Sequence, residues 1–391
     1  MFHQSGRYTH GHKISISHPF FFILWLGAMG FAVYQTYINL YLTEIGLTVS
    51  EIGFIISIST IFTILTKMLW GILSDRAKTK NRVVLLLYLC SASVGMLFYL
   101  GTEFWLMLVL VTAFSIFSTP IPPLLDNLVL ESLEKSKWDY SHIRLGATLG
   151  YCITVLAAGF ILQDKYESIF WMTALMLLIC SLLWLKLPKI QGYRKEQEKT
   201  RYRDLFKNKA LLVYIGYGIS ASLGLSVFYQ FYPIYFVSIG GNSATVGILT
   251  FIGTLSEIPI FLLIRYFVRR YGDGLVLIVS GIALAVRWML MFLLSDIVGI
   301  MITNLLHGVS SVGFLYCIVV YIGKTVPPDL RATAQLLNVT LSTIVSRMIF
   351  GYINGLVGQH IGIDYLMLFS GIIMVVSTLL FWLWHRKQPN S

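Results

Sequence analysis

The chain has 391 residues, of which 57% are apolar and only 12% charged, with a net charge of +11. That is about half the charge density of a soluble domain, which excludes a soluble enzyme, a disordered chain and a nucleic-acid-binding domain. The four cysteines, Cys90, Cys152, Cys180 and Cys317, fall inside apolar runs at no metal-ligand spacing and read as packing residues.

Apolar runs of membrane-crossing length, roughly 20 residues each, follow one another between turn and charge clusters. They predict spans at residues 19–43, 51–73, 83–100, 104–131, 143–162, 168–187, 210–238, 244–268, 274–294, 297–322, 332–357 and 364–384. The polar tail 1–18 carries no small-residue cleavage site after a short apolar core, so the first run reads as a retained span and not a signal peptide. The longest polar stretch, 188–209, holds eight Lys or Arg residues and separates an N-terminal bundle, 19–187, from a C-terminal bundle, 210–384, with a short tail at 385–391. The expected fold is an all-α membrane protein with twelve transmembrane helices in two pseudo-symmetric six-helix bundles.

Basic residues accumulate in loops on the cytoplasmic side of a membrane. Alternate loops divide sharply here. The N-terminal tail, the loops 74–82, 132–142 and 188–209, the pairs Arg269/Arg270 and Lys324/Arg331, and the C-terminal tail hold most of the 29 basic residues, whereas the opposite loops hold Lys165. Both tails are expected to be cytoplasmic, in a multi-pass protein of the cell membrane. Positive charge so distributed sets topology in the lipid bilayer and calls for no nucleic acid.

The two halves repeat. Tyr34-Gln35-Thr36-Tyr37 with Gly46 in span one corresponds to Tyr229-Gln230-Phe231-Tyr232 with Gly241 in span seven, each at an offset of 195, and Gly53 and Gly247 keep step after a one-residue slip. Duplication at half length suits a carrier in which one bundle rocks on the other about a central site. In the loop after span two stands Trp70-Gly71-Ile72-Leu73-Ser74-Asp75-Arg76. It resembles the G-x-L-a-D-R signature of the major facilitator superfamily, and the span layout carries that resemblance over the whole chain. The match is partial, because Lys78 stands where the family has its second glycine, although Gly272 keeps that glycine in the other half. Gly71 is expected to permit close helix approach, and Asp75 and Arg76 to act in a gate; the alternative is a charged turn that only sets topology.

An ionised side chain at mid-membrane costs on the order of 2.5–3.5 kcal/mol even on lenient scales, so each is a site candidate. Lys67, Asp126, Arg144, Glu257, Arg287 and Arg347 qualify, with His307 as a titratable seventh. Asp126 and Arg144 flank one turn at matching depth, roughly 12–15 Å inside on neighbouring helices. They can form a static pair or exchange partners with a polar substrate. Pro120, Pro122 and Pro123 break the ladder one turn before Asp126 and point to an irregular, cavity-lining span. Arg287, His307 and Glu257, near Pro259, share mid-depth in the second half and read as a polar network. Arg347 precedes Gly351-Tyr352-Ile353-Asn354-Gly355, a spacing for tight packing.

These placements resemble the lactose permease branch of the superfamily and its relatives that carry aromatic acids. The resemblance implies that Asp126 and Arg144 bind substrate, that Tyr151 stacks on it, and that Glu257, Arg287, His307 and Arg347 serve proton coupling. One departure stands out: Ser310 occupies the place of the permease's proton-carrying carboxylate, which leaves Glu257 or Asp126 for that role. Four mid-membrane cations against two carboxylates favour an anionic or otherwise polar small solute. Arg144 and Lys67 would hold it, with Gln35, Gln230, Tyr34, Tyr229 and Tyr151 supplying hydrogen bonds and ring faces. The expected function is a secondary active transporter working by alternating access as a proton symporter, as a monomer and without a cofactor or metal; a proton-coupled drug or metabolite exporter is the alternative. No G-x-G-D or H-E-x-x-H motif is present, and four of the eight histidines lie in the first 18 residues, so an enzyme is not expected.

Overall fold

A computed structural model describes residues 17–133, 140–185, 205, 207–294, 296–327 and 330–387. These residues are helical nearly throughout, with no strand among them, and nine of their helices are long and apolar enough to cross a bilayer. Twelve spans follow in order. Span one is Ser17–Glu44, span two Val49–Arg76 and span three Lys80–Leu97. Span four is Phe104–Ser118 continued by Ile121–Leu133, span five Tyr140–Leu162 and span six Ser168–Trp184. Span seven joins Lys209–Gln230 to Tyr232–Ser238, span eight is Ser243–Tyr271 and span nine Asp273–Leu293. Span ten joins Ile297–Thr303 to Leu306–Thr325; span eleven runs through Arg331–Thr343, a π-helical segment Ile344–Ile349, and Phe350–His360; span twelve is Ile363–His385. Most of the linker expected at 188–209 lies outside the described residues.

Four spans are broken, and two of the breaks have a local cause. Pro120 cannot donate to the helical ladder, and span four restarts just after it. Pro233 does the same to span seven, where Phe231 separates the two segments. The interruptions in spans ten and eleven contain no proline.

The repeat is visible in the backbone. Gly46 (φ 90°) ends span one and Thr48 opens span two with a capping box to Glu51; Gly240 (φ 98°) ends span seven and Asn242 opens span eight with a capping box to Thr245. Both pairs differ by 194, so the one-residue slip falls before the loop, between Tyr232, still at offset 195 from Tyr37, and Gly240. Gly46 is matched by Gly240 and not by Gly241.

Within the first half, span one packs on spans five and six; within the second, span nine packs on spans ten and twelve. Across the halves, span two lies on span eleven and span eight on span five. A Cβ added to Gly53 would come 2.6 Å from the Gly351 carbonyl oxygen and 2.9 Å from Gly355 Cα; one added to Gly247 would come 2.8 Å from the Val155 carbonyl oxygen. The glycine pair noted in the repeat therefore makes both seams by the same means, backbone against backbone. Asp164, at φ 62°, fastens this end: its carboxylate accepts the Ser243 N–H at 2.7 Å, at the positive end of span eight, while Ser243 Oγ donates to the Gly159 carbonyl at 2.9 Å. Asn39 Nδ2 donates to the Gln230 carbonyl at 2.8 Å.

At the other end the halves part. Leu65, Met68, Leu69 and Leu73 of span two are exposed, and nothing lies within 4 Å of a Cβ placed on Gly71. The close helix approach expected at Gly71 is thus not made in this structure: span two meets span eleven around Gly53 and not at Gly71. The molecule is shut at the end of loops 45–48 and 239–242 and open at the end bearing the basic loops.

Gly53→Val should wedge the shut seam, since overpacking costs about 1–3 kcal/mol. Spin labels at Thr43 and His360, in a chain whose four cysteines are replaced, should show a longer or broader distance distribution than without the substitution; an unchanged distribution would contradict the glycine seam.

Candidate functional site

Where the two halves meet, inside the shut end, a recess is lined by Gln35, Thr36 and Tyr151 from the first half and by Phe228, Tyr229 and Tyr232 from the second. Thr36 Oγ1 and Tyr151 Oη are hydrogen-bonded at 3.1 Å. The break at Phe231 ends the long helix of span seven at Tyr229 and Gln230 and sets the next segment off with Pro233. Tyr229, Lys67 and Arg347 are surrounded by protein and yet reach solvent, which marks the wall of a chamber and not a lipid-facing surface.

Bordering this recess is a chain of polar contacts across spans eight, nine and ten. Arg287 is completely buried. Its Nη1 lies 2.8 Å from His307 Nδ1, and its Nη2 donates to Asn304 Oδ1 at 2.7 Å. His307 Nε2 lies 3.4 Å from Glu257 Oε1 and 3.4 Å from Tyr229 Oη; Ser311 Oγ donates to the same Glu257 oxygen at 2.5 Å. A guanidinium only donates, so Nδ1 accepts and the proton of a neutral imidazole sits on Nε2, directed at Glu257. His307 cannot take a second proton on Nδ1 while Arg287 is docked there.

A buried cation costs several kcal/mol unless it is compensated. Here compensation comes through the imidazole from Glu257, from the Asn304 oxygen, and from the Phe228 ring, whose centroid is 4.3 Å from the guanidinium carbon. Asn304 sits at the interruption of span ten, its own Nδ2 donating to the Ile300 carbonyl at 3.1 Å. That bond fixes which way the amide faces. Gly308 lets span ten close on span eight, because a Cβ there would come 2.1 Å from the Ser256 carbonyl oxygen. Neither Asn304 nor Ser311 was singled out from the sequence; their spacing of three and four residues from His307, on its helical face, was the available signal.

Of the other residues expected in the site, Gln35, Tyr151 and Tyr229 line the recess. Tyr34 does not. Its ring stacks on Phe114 with centroids 3.9 Å apart and is buried in the first bundle, because the next positions along the helix, Gln35 and Thr36, take the inward-facing arc. Gln230 is 2% exposed at the seam, its amide without a hydrogen-bond partner, and reaches no open space. Ser310 donates to the Leu306 and His307 carbonyls inside its own helix. Lys67 and Arg347 stand on the open side. Arg347 lies apart from the Glu257 network, on the π-helical segment of span eleven, which packs against spans two and seven. Asp126 is half-buried on the lower part of span four; the side chains of Arg144 and Asp75 lie outside the described residues. Arg76 is exposed in the last turn of span two. Another groove, between spans nine and twelve, is lined by Ile282, Met289 and Leu379 and offers no comparable chemistry.

A model of the MFS_1 like family matches residues 15–369. The chain belongs to that family. It is a multi-pass membrane transporter of the major facilitator superfamily, and not an enzyme. It is 22% identical over 386 residues to the maltose permease of Geobacillus stearothermophilus, covering 95% of each chain. It is 28% identical over 211 residues to a probable 3-phenylpropionic acid transporter of Escherichia coli (strain K12), covering 52% of this chain and 54% of the relative. The crystal structure of the nucleoside transporter NupG superposes with a TM-score of 0.83 at 18% identity, covering 96% of this chain and all of that one. That likeness establishes the twelve-helix fold.

Removing the Asn304 oxygen would strand one face of a sealed guanidinium. Asn304→Leu should cost about 3 kcal/mol and lower the thermal unfolding midpoint in detergent by several degrees. Thr250→Val, on the recess wall, should shift it by far less; equal shifts would contradict a dominant role for the Arg287 contact.

Proposed function

We propose that this transporter is a proton symporter for a small polar solute bearing a carboxylate or similar anionic group, taken up through the cell membrane by a single chain. The open end carries the basic loops, so with both tails cytoplasmic the structure is the inward-facing state. The observation that carries the reading is the Arg287–His307–Glu257 chain at the edge of a recess shared by both halves. With Glu257 ionised, the imidazole passes its negative charge to Arg287. When Glu257 takes a proton, that relay weakens and the buried cation needs another counter-charge. A polar solute entering the recess alters the same balance, so proton and solute are linked through one buried network. The imidazole keeps its proton on Nε2 throughout, which makes Glu257 the carrier.

Binding uses Gln35, Tyr151 and Tyr229 for hydrogen bonds and ring contact, with Asp126 of span four and Arg144 of span five as further partners. Because Arg287 is sealed, the cations that meet the solute are Arg144, Lys67 and Arg347. The maltose and the 3-phenylpropionic acid named for two relatives support a small polar solute, and the cation excess favours an acid.

Glu257→Gln, reconstituted in vesicles, should retain exchange of labelled solute down its gradient and lose accumulation driven by an inward proton gradient. Persisting uphill uptake would exclude Glu257 as carrier. For the site, Arg144→Gln should weaken apparent affinity for an anionic solute by about ten-fold or more, read from uptake kinetics; an unchanged value would remove Arg144.

A further inference from the structure

The proton relay leaves Lys67 and Arg347 without a partner. Among the described residues neither side chain forms a hydrogen bond or ion pair, although each costs free energy in the membrane. They stand on opposite halves. Spans two and eleven run antiparallel, in contact from the Gly53–Gly351 seam to Ser57, whose hydroxyl donates to the Arg347 carbonyl at 3.4 Å. Beyond Ser57 they diverge toward the open end. Lys67 lies ten residues on from Ser57, about 15 Å along the helix at 1.5 Å per residue.

Side chains lean toward the N-terminus of their own helix. In antiparallel helices that directs Lys67 and Arg347 toward each other along the cleft. The Arg347 charge is near enough to act on Lys67 across that cleft. Arg347 is also firmly mounted. The π-helical segment releases its carbonyls from the regular ladder, and hydroxyls of two different spans take them up: Ser226 Oγ donates to the Ser346 carbonyl at 3.0 Å and Ser57 to that of Arg347.

We propose that Lys67 and Arg347 form an anion-binding bridge between the halves: the carboxylate of the solute sits between them, and their mutual repulsion keeps the basic-loop end open while the gap is empty. This rests on the carrier reading given above and adds where the solute's carboxylate sits and the reason an empty carrier does not cycle freely. Closing that end brings spans two and eleven together beyond Ser57 and presses two like charges into a region losing its water. With an anion between them, one repulsion becomes two attractions. Closure then follows occupancy.

The test is a distance measurement between spin labels at Leu73 and Leu336, on the diverging parts of spans two and eleven, in vesicles, with the four cysteines replaced. Lys67→Glu places a carboxylate opposite Arg347 and should shift the open-to-closed ratio toward closed by about ten-fold with no solute present. The reciprocal Arg347→Glu should act alike, and the double variant, with two negative charges, should return to open. Benzoate, as a minimal carboxylate, should close the otherwise unaltered chain, and uncharged benzamide should not. A single charge reversal that leaves the distribution open, a double variant that stays closed, or benzoate acting no differently from benzamide overturns the bridge. Proton-driven accumulation that still depends on Glu257 would leave the carrier reading standing in that event; its loss as well would remove both.

Discussion

Hydrocarbon cannot solvate a charge, and every functional feature of this chain follows from where it puts the few charges it carries within its spans. None can face lipid without a cost of several kcal/mol. Arg287 answers the constraint by complete burial among an imidazole, an amide and an aromatic ring. Lys67 and Arg347 answer it by facing water inside the protein. The first solution makes a rigid relay, and the second makes a surface that an anion can complete. Both need two bundles with a wet interior between them, which the fold provides.

Several of the helices that border that interior are irregular. Spans four, seven, ten and eleven all interrupt their ladders, and Asp126, Tyr229, His307 and Arg347 lie at or within two turns of the interruptions. A regular membrane helix consumes its backbone groups internally and shows its surroundings only side chains. An interrupted one offers carbonyls to Asn39, Ser226 and Ser57, and through them joins the halves or holds a cation in place. The seams that stay regular are made instead by glycines, where nothing is needed but close approach.

The spans and their pairing into halves were legible in the sequence, because length and apolarity define a crossing and the glycine pair Gly53 and Gly247 recurs in register. The polar network was legible too: an Arg, a His and a Glu at common depth have few places to go but toward each other. Which face a residue takes was not. A soluble helix announces its inner face by an apolar stripe, whereas a membrane helix is apolar toward both protein and lipid, so Tyr34 and Gln35, neighbours in sequence, could not be told apart as core and chamber. The interruption at Asn304 and the π-helical turn around Arg347 carry no proline or glycine and depend on tertiary partners. The slip in the repeat was placed after the glycine and not before it, since the double glycine at 240–241 fits either offset.

The most direct test of a wet central chamber reached from alternate sides is the labelling of a single cysteine at Gln35 by a membrane-impermeant maleimide, applied separately to each face of sealed, oriented vesicles. The label should enter from the basic-loop face in the resting protein, and from the opposite face once that end is trapped closed. Labelling from neither face, or only by a lipid-soluble reagent, would place Gln35 in packed protein or lipid and contradict an alternating chamber.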